Sequence, residues 1–117
     1  MKTLSVGIDG TDREINEGLY GEAPSGSDYL VLGHEALAKI KDFGKDVQGF
    51  EKGDLVVPMV RRPCWENCEN CKNNEVDICL TGDYFEHGII KLHGFASDFA
   101  LSDADFLVKL PAQLEDV

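Results

Sequence analysis

The sequence predicts a mainly β domain, a β-barrel or a β-sandwich, with a cysteine-rich lobe. Two observations predict it. Several short apolar segments are separated by glycine- and aspartate-containing turns, which is typical of barrels and sandwiches. All four cysteines lie in the polar stretch "RRPCWENCENCKNNEVDIC", residues 61–79. A chain of 117 residues with 43% hydrophobic residues is large enough for one domain with a modest core.

The N-terminal segment predicts a strand followed by a short helix. In "TLSVGID", residues 3–9, apolar side chains alternate with small or polar ones, as in a half-buried strand. "GTDREINEG", residues 10–18, is typical of a helix with Thr11 as N-cap, Glu14 as its capping-box partner and Gly18 as the stop.

The middle of the chain contains one ambiguous segment and one clear strand. "LVLGHEALAKIKDFG", residues 30–44, has helix formers in its second half, yet Ala36, Ala38 and Ile40 alternate as in a strand facing a core. "GFEKGDLVVPMV", residues 49–60, indicates a turn at 52–54 and an apolar strand that Pro58 confines to an edge or an end.

The C-terminal segment "GIIKLHGFASDFALSDADFLVKLP", residues 88–111, predicts strand, strand, turn and strand. Its second strand would place four side chains on one face, and "SDAD" would form the turn. Those four are Phe95, Ser97, Phe99 and Leu101.

The charge excludes two classes of partner. Eleven basic and 22 acidic residues give a net charge of −11, whereas nucleic acids and anionic membranes attract basic patches. No apolar run is long enough to span a membrane, and "MKTLSVGIDG" lacks the features of a signal peptide. We therefore expect a cytoplasmic protein with reduced thiols. The sequence also contains no G-x-G-x-x-G or Walker motif for binding a nucleotide.

The four cysteines have the spacing Cys64-x3-Cys68-x2-Cys71-x7-Cys79. Four reduced thiolates can complete the tetrahedral shell of a structural zinc, which leaves no position for a substrate. Ferredoxin spacing does not match, and disulfide pairing is the alternative. We predict a zinc-binding lobe over residues 61–83, with Trp65 packed beneath it.

A second candidate site consists of Asp9, His34 and Glu35. Each has an ordinary explanation: a turn or cap residue, a buried histidine and a solvated charge. Imidazole and carboxylate groups are, however, suitable ligands for a catalytic zinc with one open position. The pair in "GHE" follows the apolar "LVL", which we interpret as a strand that mounts the ligands rigidly.

A series of motifs carries a family resemblance. "GIDGTDREI", "LVLGHEALAKI", "GDLVVPMVRRP", the cysteine lobe and "EHGIIKLHGFASDF" occur in this order over nearly the whole chain. Together they resemble the zinc-containing medium-chain alcohol dehydrogenase family, and within it the archaeal-type glucose (aldose) 1-dehydrogenases.

The resemblance implies a GroES-like β-barrel catalytic domain, incomplete and spanning residues 1–117, with two zinc sites. His34, Glu35 and Asp9 would hold the catalytic zinc, although most of the family has cysteine where this sequence has Asp9. Thr11 would contact the substrate and relay its proton, and Glu86 would contact sugar hydroxyls.

For the structural zinc, the resemblance implies Cys64, Cys68, Cys71 and Cys79 as ligands. The family usually has two residues in the first interval, and this sequence has three. Asp83 is therefore the alternative to Cys64 as fourth ligand.

The implied reaction is oxidation of a sugar C1 hydroxyl to a lactone, with hydride transfer to NAD or NADP. A Rossmann cofactor domain is absent from these residues, so we expect the chain alone to be inactive and the full-length enzyme to be a homo-oligomer. Two alternatives remain: a stand-alone zinc-stabilised GroES-like binding module, and an alcohol or polyol dehydrogenase of the same family.

Overall fold

The computed structural model describes residues 1–116. None of the helices in this range is long and apolar enough to cross a membrane. The helices are α1 (Gly10–Asn16), α2 (Glu69–Lys72) and three 3-10 helices at Val76–Ile78, Ala104–Phe106 and Ala112–Asp116. The strands are β1 (Lys2–Gly7), β2 (Glu35–Lys39), β3 (Leu55–Pro58), β4 (Arg61–Arg62), β5 (Phe85–His87), β6 (Lys91–Leu92) and β7 (Leu107–Lys109).

The strands form two sheets. The larger sheet has the order β1-β2-β3-β7, and all its pairs are antiparallel. The smaller sheet has the order β4-β5-β6, with β4 antiparallel and β6 parallel to β5. The mainly β prediction is confirmed, and within residues 1–116 the sheets do not close into a hydrogen-bonded barrel, as expected of an incomplete one.

The ambiguous segment of residues 30–44 contains a strand, β2, rather than a helix. Ala36, Ala38 and Ile40 are all buried, and Ala38 and Ile40 pack with Val56 of β3 at the centre of the larger sheet. Burial of alternate side chains against neighbouring strands outweighs the helix propensity of alanine and lysine. The turn before β3 is also as predicted, because Gly53 has a φ of 98° and Asp54 accepts from the backbone of Glu51 at 2.7 Å.

The short helix α1 is confirmed, but its predicted N-cap is wrong. Asp9 is the N-cap: its carboxylate accepts from the backbone N–H groups of Thr11 at 2.8 Å and Asp12 at 3.4 Å. The Asp12 side chain completes the capping box by accepting from the backbone of Asp9 at 3.1 Å. Gly18 follows the helix with a φ of 75°, as a stop residue should.

The strand predicted through Phe95, Ser97, Phe99 and Leu101 does not form. Phe95 is 1% exposed, whereas Phe99 and Leu101 are 61% and 90% exposed, so these side chains do not share a buried face. Ser97 donates its backbone N–H to the carbonyl of Phe95 at 2.8 Å, a local turn that breaks the extended conformation. Phe99 forms an isolated β-bridge with Lys2 and lies outside the named strands.

Candidate metal centre and substrate site

His34 is held by tightly packed glycine backbone rather than by the strand that we predicted before it. Residues 30–33 are not a strand; β2 begins after His34. Gly33 has a φ of 90°, and its carbonyl accepts from Phe95 at 2.8 Å. A side chain on Gly88 would lie 2.8 Å from that carbonyl oxygen, so Gly88 packs directly on Gly33. Close packing thus fixes the backbone that presents the imidazole.

Asp9, the N-cap of α1, faces the imidazole of His34. Its Oδ2 lies 3.6 Å from His34 Nε2, while its Oδ1 caps the helix. Burial by itself would raise the pKa of Asp9, but the backbone N–H groups of Thr11 and Asp12 and the nearby His34 lower it below its ordinary value. The carboxylate is therefore ionised and available as a ligand at neutral pH.

The donor atoms of Asp9, His34 and Glu35 all lie within 4.8 Å of one another, and these residues fit a metal ion. Donors about 2.1 Å from a tetrahedral zinc lie about 3.4 Å apart, close to the 3.6 Å between Asp9 and His34. That separation is too long for a normal hydrogen bond. Two oxygen donors and one nitrogen make a hard ligand set that an ion of the zinc or manganese type accepts.

Asp12 was not among the predicted site residues, but its side chain lies next to the cluster and contacts His34. Its side chain is 3% exposed; Oδ1 accepts from Gly33 N at 3.3 Å and lies 3.7 Å from His34 Nδ1. Nδ1 is buried, with no hydrogen-bond partner among the described residues. A carboxylate next to the non-ligating nitrogen of a metal-binding histidine fixes the orientation of the ring. The D-x-x-D capping pattern at residues 9–12 was the available signal.

The cluster opens onto a cleft. Glu35 is exposed at the start of β2, and a cleft of about 450 Å³ runs past it, lined by Gly7 and His34 and by the end of β3, with Met59 and Val60. This volume is in the range that holds a small ligand. The candidate metal ligands therefore lie where a substrate can reach them.

The four cysteines also converge. All are free thiols, and their sulfurs lie within 4.8 Å of one another. Cys68 and Cys79 have their Sγ atoms 3.9 Å apart, whereas a disulfide needs about 2.05 Å and two thiolates on a tetrahedral zinc lie about 3.8 Å apart. Cys64 is buried within the cluster.

The thiols differ in proton affinity. The backbone N–H groups of Cys71 and Leu80 lower the pKa of Cys68 to about 6. A backbone hydrogen bond involving Cys64 works in the same direction at Cys71, but burial and the neighbouring sulfurs outweigh it and raise the pKa of Cys71 to about 12. Four sulfurs this close cannot all be thiolates without a cation among them.

Two other residues of the lobe, Trp65 and Asp83, are exposed. Trp65 is 81% exposed, so the prediction that it packs beneath the lobe is wrong; it meets Phe85 edge-on at 5.4 Å. The extra residue of the first interval is accommodated by a turn in which Asn67 has a φ of 48°. Asp83 is exposed and forms an ion pair with Lys91.

Glu86 lies on β5 and is buried, at 7% exposure. It pairs in register with Arg61 of β4, whose Nε and Nη2 both donate to Glu86 Oε1, at 2.9 and 2.8 Å. Glu86 is two residues from Gly88, which packs on Gly33 beside His34. Burial is the main cause that raises the pKa of Tyr20, and the charge of Glu86 also contributes.

Residues 1–112 match the family model of the alcohol dehydrogenase GroES-like domain. The chain belongs to this family. The expected GroES-like domain is thereby confirmed. Its elements are the helix α1, the two sheets and the cysteine lobe described above.

The chain is similar to several glucose 1-dehydrogenases. That of Thermoproteus tenax is 53% identical over 117 residues, which is 100% of this chain and 32% of its own length. The crystal structure of Haloferax mediterranei glucose dehydrogenase in complex with NADP, Zn and gluconolactone is 42% identical, with a TM-score of 0.88, over 98% of this chain and 32% of that one. D-arabinose dehydrogenase of Sulfolobus solfataricus is 26% identical, with a TM-score of 0.77. The chain thus spans about a third of the length of the relatives it matches.

Proposed function

We propose that this chain is the catalytic-domain portion of a zinc-dependent glucose (aldose) 1-dehydrogenase. Such an enzyme oxidises the C1 hydroxyl of a sugar to a lactone and transfers the hydride to NAD or NADP. The observation that carries the proposal is the convergence of Asp9, His34 and Glu35 at an open cleft. The relatives named glucose 1-dehydrogenase support the choice of substrate.

In this proposal Asp9, His34 and Glu35 hold the catalytic zinc. A bound zinc supplies Lewis-acid activation of the hydroxyl that is to be oxidised. The protein residues hold the substrate and move its proton. Thr11, in the first turn of α1 beside Asp9, would relay the proton of the C1 hydroxyl by accepting it while releasing its own hydroxyl proton to solvent. The buried Glu86 would accept a hydrogen bond from another sugar hydroxyl.

We assign the second zinc to Cys64, Cys68, Cys71 and Cys79, in a lobe of residues 61–83. The four sulfurs form one cluster, whereas Asp83 pairs with Lys91. Because four protein ligands complete the shell, this zinc would hold the lobe together and take no part in the reaction.

The proposal includes the wider setting of the enzyme. Residues 1–117 would be a partial catalytic domain, with NAD or NADP bound mainly by a Rossmann domain outside them, since these residues contain no dinucleotide-binding motif. We accordingly predict no glucose oxidation by this chain alone. We also propose a cytoplasmic location, and a homo-oligomeric full-length enzyme with no nucleic-acid or membrane partner.

A chimera tests the proposal. Residues 1–110 would replace the matching third of the Haloferax mediterranei enzyme, and NADPH formation would be followed with glucose, galactose and ethanol. We expect glucose oxidation, and a loss of at least about a hundredfold in kcat/KM for the chimera with His34→Ala. A preference for ethanol would favour an alcohol dehydrogenase. Undiminished glucose oxidation in the His34→Ala chimera would contradict the assigned catalytic site.

A further inference from the structure

The buried ion pair between Arg61 and Glu86 is arranged asymmetrically. Both hydrogen bonds from Arg61 end on the same oxygen, Oε1 of Glu86. Among the residues that the structure describes, none donates to the second oxygen, Oε2. The Glu86 side chain is 9% exposed, and its Oε2 is not among the fully buried side-chain atoms that lack a hydrogen-bond partner. The atom therefore keeps an accessible side from which it can accept a hydrogen bond.

The guanidinium of Arg61 is itself fixed on three sides. Its Nη1 donates to the backbone carbonyl of Asp77, at 3.2 Å, in the 3-10 helix between the last two cysteines of the lobe. Its Cζ lies 4.1 Å above the centre of the Tyr84 ring. Burial tends to lower the pKa of Arg61, but the hydrogen bonds and charge of Glu86 outweigh it and raise that pKa, so the guanidinium stays charged.

These contacts connect the lobe to the cleft. One edge of the Arg61 guanidinium, Nη1, donates to the lobe, and the other edge, Nε and Nη2, holds Glu86. Glu86 is two residues from Gly88, which packs on Gly33 beside His34. Rotation of the Glu86 carboxylate would move Oε1 away from both of its charge-assisted hydrogen-bond donors. The free oxygen therefore has a defined direction.

We infer that Arg61 is a positioning residue for substrate selectivity: it holds Glu86 so that Oε2 accepts a hydrogen bond from one hydroxyl of a polyhydroxylated ligand. The inference rests on the proposed function, because it needs a sugar in the cleft. An oriented acceptor selects hydroxyl donors and rejects an analogue that lacks the matching hydroxyl. The role belongs to arginine rather than lysine, because a single ammonium cannot supply the two coplanar donors.

Sugar binding by the zinc-loaded chain tests the inference. Dissociation constants for glucose and for its 2-, 3-, 4- and 6-deoxy analogues would be measured by protein-observed NMR titration. Wild type, Arg61→Met, Arg61→Lys and Glu86→Gln would be compared with Arg13→Met as the matched control. Arg13 pairs with Glu17 on the exposed face of α1, with 79% of its side chain exposed.

We expect wild type to bind one deoxy analogue about ten- to a hundredfold more weakly than glucose, which is the range for a hydrogen bond to a charged group. Arg61→Met and Arg61→Lys should bind glucose as weakly as wild type binds that analogue, and should no longer distinguish the two sugars. Arg13→Met should behave as wild type. Should Arg61→Met fail to fold, judged by its NMR spectrum, Arg61→Lys decides the question, because it keeps the charge.

Three outcomes overturn the inference in distinguishable ways. Unchanged selectivity in the folded Arg61 variants would show that Arg61 is only structural, while leaving the proposed function intact. Loss of selectivity in Arg61 variants but not in Glu86→Gln would show that Glu86 is not the acceptor. Absence of any sugar binding by zinc-loaded wild type would overturn both the inference and the proposed function.

Discussion

Asp9 serves two purposes with its two oxygens. Oδ1 caps α1 through the backbone of Thr11 and Asp12, and Oδ2 faces His34. An N-cap is held rigidly by the helix it starts, so the capping role also fixes the direction of the second oxygen. Cysteine, which the resemblance leads one to expect here, is not among the favoured N-cap residues.

Two substitutions at Asp9 separate these roles. Asparagine caps a helix about as well as aspartate but lacks the charge, so Asp9→Asn should keep the free energy of unfolding within about 0.5 kcal/mol of wild type. Asp9→Ala should lose about 1 kcal/mol. Both should weaken zinc binding at the cleft. Urea denaturation and zinc titration would check this, and equal stability of the two variants would argue against the capping role.

His87 gives the protein a pH-dependent stability. Burial lowers its pKa, its ring stacks on Phe95 at 4.7 Å, and its Nδ1–H donates to the carbonyl of His93 at 2.7 Å. Since the folded pKa is lower, the unfolded chain takes up the proton first. The contribution of neutral His87 is therefore complete above a pH of about 6.5 and is lost as the pH falls towards the folded pKa.

The measurement is the difference in unfolding free energy between pH 7.5 and pH 5.5. His87→Asn keeps a donor for the His93 carbonyl but does not titrate, so its difference should be smaller than that of wild type. An NMR titration should place the His87 midpoint below the ordinary value of about 6.5. A midpoint at or above that value, or an identical pH dependence in the variant, would refute this explanation.

At the residue scale, the sequence predicted Asp9, His34 and Glu35 as metal ligands from their residue types together with the family resemblance. It did not identify Asp12, because a carboxylate in the first turn of a helix is ordinary until its burial is known. Thr11 was predicted as the N-cap on equal chemical grounds, since threonine and aspartate both cap helices. Only the backbone conformation, with Asp9 extended at φ −132°, distinguishes them.

At the scale of elements, glycine packing holds the segment before His34 against the segment of residues 94–96. The segment of residues 31–33 hydrogen-bonds to residues 94–96 although neither forms a strand. A Cβ on Gly94 would overlap the backbone carbonyl oxygens of Leu32 and Gly33. Backbone atoms cannot move aside as a flexible side chain can, so this approach requires glycine.

Gly94→Ala should therefore destabilise the protein by about 1–3 kcal/mol or more, as expected for overpacking, and should loosen the backbone beside His34. Gly44→Ala is the matched control, because a Cβ there meets nothing within 4 Å. Thermal or urea unfolding would compare the two. Equal stability of both variants would contradict the close approach described here.

The sequence predicted elements well where the determining residues are local. β1 follows from its alternating residue types, and β3 follows from a short apolar run after a turn, although burial does not alternate strictly in either strand. The segment after β6 also alternates, but its backbone bonds to residues 31–33, sixty residues away, and to itself at Ser97. Such non-local hydrogen bonds outweigh periodicity, and no local pattern encodes them.

At the scale of the whole molecule, the two clusters of candidate metal ligands differ in exposure and therefore in the role that each can have. None of the four clustered cysteines is exposed, whereas the cluster at the cleft has two exposed members, Asp9 and Glu35, and an open side. Four thiolates bind zinc more tightly than two carboxylates and an imidazole do. We therefore expect the purified chain to retain one zinc, in the lobe, and to bind a second, more weakly, when zinc is in excess.

Counting zinc in wild type, His34→Ala, Cys64→Ser and Asp83→Asn, as purified and after equilibrium dialysis against excess zinc, tests the central claim most directly. We predict that His34→Ala retains the first zinc and loses the second, that Cys64→Ser loses or weakens the first, and that Asp83→Asn matches wild type. A second zinc that binds equally well to His34→Ala would contradict the catalytic metal site. A first zinc unaffected by Cys64→Ser but lost in Asp83→Asn would contradict the ligands assigned to the lobe.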